Sequence, residues 1–283
     1  MSTVTRPRPD DYVLGRTPAE YERLRAQARV WEAATGRLLD QVELGPGARC
    51  LDAGCGPGET MRLLAQRVGP AGHVTGVDVS RPMLEVARRR AAAQAVSQVS
   101  FVEADASSAA LPAELDLLYS RFGVMFFADP VAAFRHLRAA LKPGARTVFL
   151  CWRSPRDNPW AMAPLAAARA ALGITAAPMD PDAPGPFAFA DEARVRRILD
   201  DAGFVDVALE RRDALLQLGV SAAAAAERSL RLGPSARLAR EVGAAHAPAI
   251  VRAIESALAP HASADGAVRL SGSGWIVSAR NPS

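Results

Sequence analysis

The sequence predicts an α/β fold: a seven-stranded, mostly parallel sheet with helices on both faces, an N-terminal helical cap and a lid inserted after the fifth strand. Three observations predict it. A buried run, Arg49 to Asp52, meets the glycine turn Gly54-Cys55-Gly56-Pro57-Gly58 and then takes on helical spacing from Glu59 to Val68. Two further apolar runs, His73 to Val77 and Ser100 to Ala104, are closed by acids, Asp78 and Asp105, as Asp52 closes the first. Strand-like and helix-like stretches then alternate as far as Cys151, the order that builds parallel βαβ units.

Upstream of the sheet, Thr17-Pro18-Ala19-Glu20 reads as a helix start, with threonine as N-cap and proline in the first turn. Leu24, Ala28 and Trp31 follow at helical intervals. A second apolar set, Leu38, Leu39, Val42 and Leu44, leads to the break at Gly45-Pro46-Gly47. The fourth strand, Leu115 to Tyr119, feeds Ser120-Arg121-Phe122-Gly123, which by position floors the crevice at the carboxyl edge of the sheet. Met125, Phe126 and Phe127 then form an apolar run that reads as core first and pocket lining second. Asp129-Pro130 caps a helix from Val131 to Leu141 with Val131, Phe134, Leu137 and Leu141 as its buried stripe, and Thr147 to Cys151 makes strand five.

The segment from Arg153 to Phe189 is proline-rich, with an apolar helix around Ala161 to Leu172. It is too long for a plain connection to the helix Asp191 to Ala202. It is expected to be a lid, with Trp152, Trp160 and Phe187 as wall residues for a bound molecule or, equally, as anchors of the lid to its own core. Val205 to Leu218 and Trp275 to Arg280 read as closing strands. Between them lie two alanine-rich helices, Ala222 to Arg231 and Ala236 to Ala259, which could thicken the lid or make a homodimer face.

The glycine turn separates two kinds of ligand. In an open parallel sheet the ligand lies beyond the carboxyl ends of the strands, and an acid about 20 residues past the turn accepts from ribose hydroxyls. Asp78 stands there. A dinucleotide also brings a pyrophosphate, which wants bare N–H groups at a helix N-terminus, usually presented by G-x-G-x-x-G. Here the spacing is G-x-G-x-G, Pro57 removes a donor and Glu59 places a negative charge at the helix entrance, so a phosphate is expected to be repelled. A phosphate-free adenosine carrying an amino-acid end fits better, with Asp52 near its ammonium and Asp105 accepting from the adenine amino group.

These segments resemble the class I S-adenosylmethionine-dependent methyltransferases, of the type 11 and ubiquinone/menaquinone-like group. The matching stretches are LDAGCGPGET, VTGVDVSRPMLEVAR, VEADA and LDLLYSRFGVMFFADPVAAFRHLRAALKPGARTVFLCW, in the family's order from Arg49 to Trp152. Ala145 departs from the pattern, standing where the family usually has a second glycine. The resemblance implies a Rossmann-like sheet and S-adenosylmethionine as cofactor. It implies cofactor contacts at Asp52, Gly54, Cys55, Gly56, Gly58, Asp78, Val79, Met83, Asp105, Ala106, Ser120 and Arg121. It also implies that the N-terminal helices cross the cofactor mouth, bringing Tyr12, Tyr21 and Arg25 near the ligand. Tyr12, Phe122, Trp152, Trp160 and Phe187 are the candidate contacts to a small, partly apolar methyl acceptor. A single domain over 1–283 is expected: a cap over 1–46, a cofactor-binding core over 47–152, an acceptor lid over 153–190, and closing strands with a helical insertion over 191–283.

Composition agrees. The chain of 283 residues is 49% apolar, ample for one full core, and its formal charge of +4 is modest. Arginines mix with acids along helices such as Arg194 to Asp201, which reads as a solvated face and excludes a nucleic-acid track. Enzymes that methylate base nitrogens resemble one another in an (Asp/Asn)-Pro-Pro-(Tyr/Phe) element after strand four; Ser120-Arg121-Phe122-Gly123 is not that, which disfavours nucleobase amines. Cys50, Cys55 and Cys151 lack metal or disulfide spacing, and His73, His136, His246 and His261 read as structural or solvent-facing, so no metal and no evident general base is expected. Met1 to Asp10 has no apolar core and no run reaches the length of a membrane span, so a soluble cytoplasmic protein is the expectation. Two other readings stay open: a cofactor-binding module without catalysis, and a nicotinamide-dependent oxidoreductase.

Overall fold

The computed structural model describes residues 35, 36, 39, 42, 44–175, 180, 183–231 and 233–283. Tyr12, Tyr21, Arg25 and most of the expected N-terminal cap lie outside them; Thr35, Gly36 and Leu39 are helical. Seven strands form one sheet: β1 (Arg49–Ala53), β2 (His73–Asp78), β3 (Val99–Glu103), β4 (Leu115–Arg121), β5 (Leu141–Trp152), β6 (Val205–Gly219) and β7 (Val268–Arg280), in the order β3-β2-β1-β4-β5-β7-β6. The pairs β1/β2, β1/β4, β2/β3 and β4/β5 are parallel. The strand order turns back at β1 and β4, the switch point where such sheets hold their ligands.

The helices are α1 (Glu59–Val68), α2 (Arg81–Ala93), α3 (Pro130–Ala139), α4 (Pro159–Ala171), α5 (Glu192–Asp201), α6 (Ala222–Ser229), α7 (Gly233–Val242) and α8 (Ala247–Leu258). Their starts follow local chemistry. The Asp129 carboxylate accepts from Ala132 N at 2.9 Å, with Pro130 in the first turn, and Asp191 caps α5 by accepting from Arg194 N at 2.7 Å. Three boundaries differ from expectation. β3 ends at Glu103, so Asp105 stands two residues beyond the strand. The stripe of α3 is Ala133, Phe134 and Leu137, and Leu141 already opens β5. The expected helix Ala236 to Ala259 is two helices, because Gly243 turns left-handed (φ 89°) and Pro248 restarts the chain in α8.

The chain divides into two compact units: 1–151 with 182–211 and 275–283, and 152–181 with 212–274. The segment expected as a lid is thus divided, 182–190 belonging with the first unit. The core of the first unit is aromatic around Phe134, whose ring lies 5.3 Å from Phe149 and 6.2 Å from both Phe189 and Phe204. In the second unit α4 packs on α7 and α8, and α6 on α8, through Ala161, Leu165, Ala168, Ala225, Ile250 and Ile254.

Candidate ligand site at the glycine turn

The turn between β1 and α1 is shaped by what presses on it. Gly54 adopts φ 73°, and a β-carbon there would sit 3.0 Å from Gly123 Cα, so the loop after β4 closes directly on the turn. From the other side Cys55 Sγ fills the space above Gly76 in β2, where an added β-carbon would stand 2.8 Å from the sulfur. Burial raises the Cys55 thiol well above its ordinary range, so it stays protonated and serves as packing.

Every N–H of the turn is used inside the protein. Gly54 N and Cys55 N donate to Val77 O at 2.8 and 3.1 Å, Gly58 N donates to Cys55 O at 3.1 Å, and Gly56 N donates to Asp78 Oδ2 at 2.8 Å. Pro57 has no N–H. No donor of the turn remains for a pyrophosphate, and this excludes a phosphate more firmly than the charge of Glu59. That charge is neutralised: Arg90 of α2 pairs with Glu59 and donates to Pro57 O at 3.1 Å. The expected repulsion by Glu59 is therefore replaced by saturation of the amides.

The three acids differ in setting. Asp78, half-buried, accepts Gly56 N on one oxygen and Ser80 N, also at 2.8 Å, on the other. Burial raises its pKa while these backbone donors pull it down. Each oxygen keeps a lone pair. Asp52 is enclosed, 1% exposed, with Oδ2 accepting the Thr60 hydroxyl at 2.5 Å. Burial pushes its pKa up to about 6, against the Thr60 bond and the Arg121 charge, which lower it. Asp105 is exposed and turns one oxygen to Ser107 N at 2.9 Å. Glu103, the true end of β3, pairs with Arg81. Between these acids, Met83 and Ala106 are buried apolar surface and Val79 is half-buried.

Past β4, Ser120 donates its hydroxyl to Ala53 O at 2.7 Å, stitching β4 to the end of β1, so the hydroxyl expected to face a cofactor is already engaged. Phe122 takes φ 60°, a strained conformation for a bulky side chain that favours functional loops. Among the acceptor candidates, Phe122 and Trp160 are half-buried, while Trp152 and Phe187 are 3% and 8% exposed. Phe122 and Phe187 belong to the first unit; Trp152 and Trp160 belong to the second, where their rings pack 4.9 Å apart. Met125, 1% exposed, is core. His136 bonds Ala109 O, and His73, the first residue of β2 and not a loop residue, bonds Ser100 Oγ at the amino edge of the sheet. Among the described residues no cluster of His, Cys, Asp or Glu could hold a metal, and no helix is long and apolar enough to cross a membrane.

Residues 50–144 match the family described as "Methyltransferase domain". The stretch is a class I methyltransferase domain. The domain carries the glycine turn, all three acids and the loop after β4. The chain is 34% identical over 131 residues to nocamycin O-methyltransferase of Saccharothrix syringae, covering 46% of this chain and 47% of that protein. It is 35% identical over 136 residues to 2-phytyl-1,4-naphtoquinone methyltransferase of Trichormus variabilis, covering 47% and 57%. The chain spans about half the length of the curated relatives it matches. Among solved structures, the YcgJ protein of Bacillus subtilis superposes with a TM-score of 0.61 at 17% identity, over 89% of this chain and 99% of that one, a likeness of fold. Sequence reading missed Thr60, Gly76 and Arg90 around this methyltransferase domain's turn. Only Thr60 had a signal, its place in the first turn of the helix that Asp52 leads into.

Proposed function

We propose that the protein transfers the methyl group of S-adenosylmethionine to a small, partly apolar organic acceptor by in-line displacement. The observation that carries this reading is the glycine turn whose amides are all internally bonded, beside a carboxylate pinned by two backbone N–H groups. Such a cradle suits a ribose and not a phosphate. Asp78 takes the ribose hydroxyls on its free lone pairs, Asp105 takes the adenine amino group on its second oxygen, and Val79, Met83 and Ala106 face the base. Gly54, Cys55, Gly56 and Gly58 bring backbone close to the thioether chain, and Phe122 borders the acceptor.

S-adenosylmethionine supplies a methyl group already activated on a sulfonium. What the chain contributes is alignment and exclusion of water, and well-oriented reactants can account for about 7 kcal/mol or more of a barrier. The names of the relatives, a nocamycin O-methyltransferase and a naphtoquinone methyltransferase, support acceptors of polyketide or quinone type. Titration calorimetry with S-adenosylmethionine and S-adenosylhomocysteine tests the cofactor, and product formation with phenolic, quinol and carboxylic acceptors tests turnover. Folded protein that takes up heat with neither nucleoside, or is stabilised by NADH instead, would end this reading.

A further inference from the structure

Three polar side-chain atoms of the first unit are buried without a hydrogen-bond partner and belong to one cluster: Asp52 Oδ1, the Tyr119 hydroxyl and the Thr35 hydroxyl. Asp52 and Tyr119 are register partners on β1 and β4, so their side chains leave the same face of the sheet. The Thr35 hydroxyl lies close enough to act on the Tyr119 phenol, and Asp52 and Arg121 act on it electrostatically. All three residues are 0 or 1% exposed. Native proteins leave few such groups unpaired, and three together mark a place for a small polar occupant. Beside them the half-buried Arg121 guanidinium makes no hydrogen bond or ion pair among the described residues, whereas Arg90, Arg138 and Arg196 are all engaged.

The donors and acceptors match one water molecule. It donates to Asp52 Oδ1 and Thr35 Oγ1, accepts from the Tyr119 hydroxyl, and keeps one lone pair for an N–H arriving from the crevice. We propose that Asp52, Tyr119 and Thr35 enclose a water that relays the carboxylate to the ammonium of the ligand's amino-acid end, while Arg121 takes the carboxylate of that end. Tyr119 and Thr35 are then positioning residues, acting through the water, and Arg121 is a direct contact. This rests on the S-adenosyl reading above.

The experiment is titration calorimetry of the full chain with two probes: S-adenosylhomocysteine, and 5′-methylthioadenosine, which keeps the nucleoside and thioether but lacks the amino-acid end. Tyr119→Phe and Thr35→Val, both close to isosteric, should weaken S-adenosylhomocysteine about three- to tenfold. Arg121→Gln should weaken it by about tenfold or more, because its bond is charge-assisted. Affinity for 5′-methylthioadenosine should stay within about twofold in all three. A desamino analogue of S-adenosylhomocysteine adds a second axis: it should respond to Arg121→Gln and ignore Tyr119→Phe. Equal losses for both probes, or no loss in the two hydroxyl variants, would make the cluster merely structural and overturn the proposal while the cofactor reading survives. Wild-type protein that binds neither probe removes that reading, and this one with it. Thermal unfolding separates a folding defect from a binding one, since deleting an unpaired buried hydroxyl should leave stability unchanged or raised.

Discussion

Asp78 and Asp52 are acids at neighbouring strand ends held in opposite ways. Asp78 is fixed by two backbone donors, so Asp78→Ala removes both the ligand acceptor and the tie that holds Gly56 in the turn. S-adenosylhomocysteine affinity should fall about 100-fold by calorimetry, since charge-assisted bonds lie at the strong end of the range. Asp52 is sealed, and its folded pKa of about 6 lies above the ordinary 3.8. Between those two values the native state holds the proton and the unfolded state does not, so the penalty of burying this carboxylate is absent below pH 4 and complete above pH 6. It amounts to about 3 kcal/mol of lost stability. Asp52→Asn should therefore raise the melting temperature of the unliganded protein at neutral pH by several degrees, and lower it nowhere. The same titration reaches the ligand: wild-type affinity for S-adenosylhomocysteine should drop as pH falls through 6, and the drop should vanish in Asp52→Asn. The positions of these acids were legible in the sequence because strand ends and glycine turns have local signatures. Their unequal burial was not, because it depends on Thr60, Tyr119 and Thr35, brought together only by the fold.

Element boundaries were legible wherever one residue decides them. Asp129-Pro130 and Asp191 announce helix starts, and the Gly54 to Gly58 turn announces α1 at Glu59. Gly243 was passed over because the alanine-rich flanks suit a helix on both sides, and a single left-handed glycine breaks such a run. Between elements the sequence carries less. The packing of β2 against the glycine turn depends on Gly76, a mid-strand residue without a pattern of its own, lying under Cys55. Gly76→Ala would place a methyl 2.8 Å from Cys55 Sγ and 3.1 Å from Met61 Cε. The methionine can swing away, but the cysteine sits in a turn with every amide engaged. The variant should lose about 1–3 kcal/mol in denaturant unfolding, and adding Cys55→Ala should restore much of it. Additive losses in the double variant would show that the turn and the strand are not coupled through that contact.

At the scale of the whole molecule the order of the core motifs placed β1 to β5 correctly, since each βαβ unit is written in consecutive residues. The grouping of 152–181 with 212–274 was not legible, because it joins segments separated by α5 and β6. Asn158 shows how that second unit is tied. It is fully buried and its amide nitrogen faces Arg153 O, Ser154 O and Ser273 O at 3.2, 3.0 and 3.0 Å. Its carbonyl oxygen accepts Trp160 Nε1 and Ser273 N, both at 2.9 Å. One side chain thus fixes the start of α4, the Trp152–Trp160 pair and β7 together. Asn158→Asp has nearly the same shape but would turn a carboxylate oxygen, without a proton to give at neutral pH, toward three carbonyls. The loss should be about 3 kcal/mol or more, because the buried acceptors lose their donor and a charge is left among them. Hydrogen exchange locates the loss. If 152–181 with 212–274 is a cooperative unit, protection should fall across α4, α6, α7 and α8 together while β1 to β4 keep theirs. Uniform loss over the whole chain would instead mean that both units unfold as one.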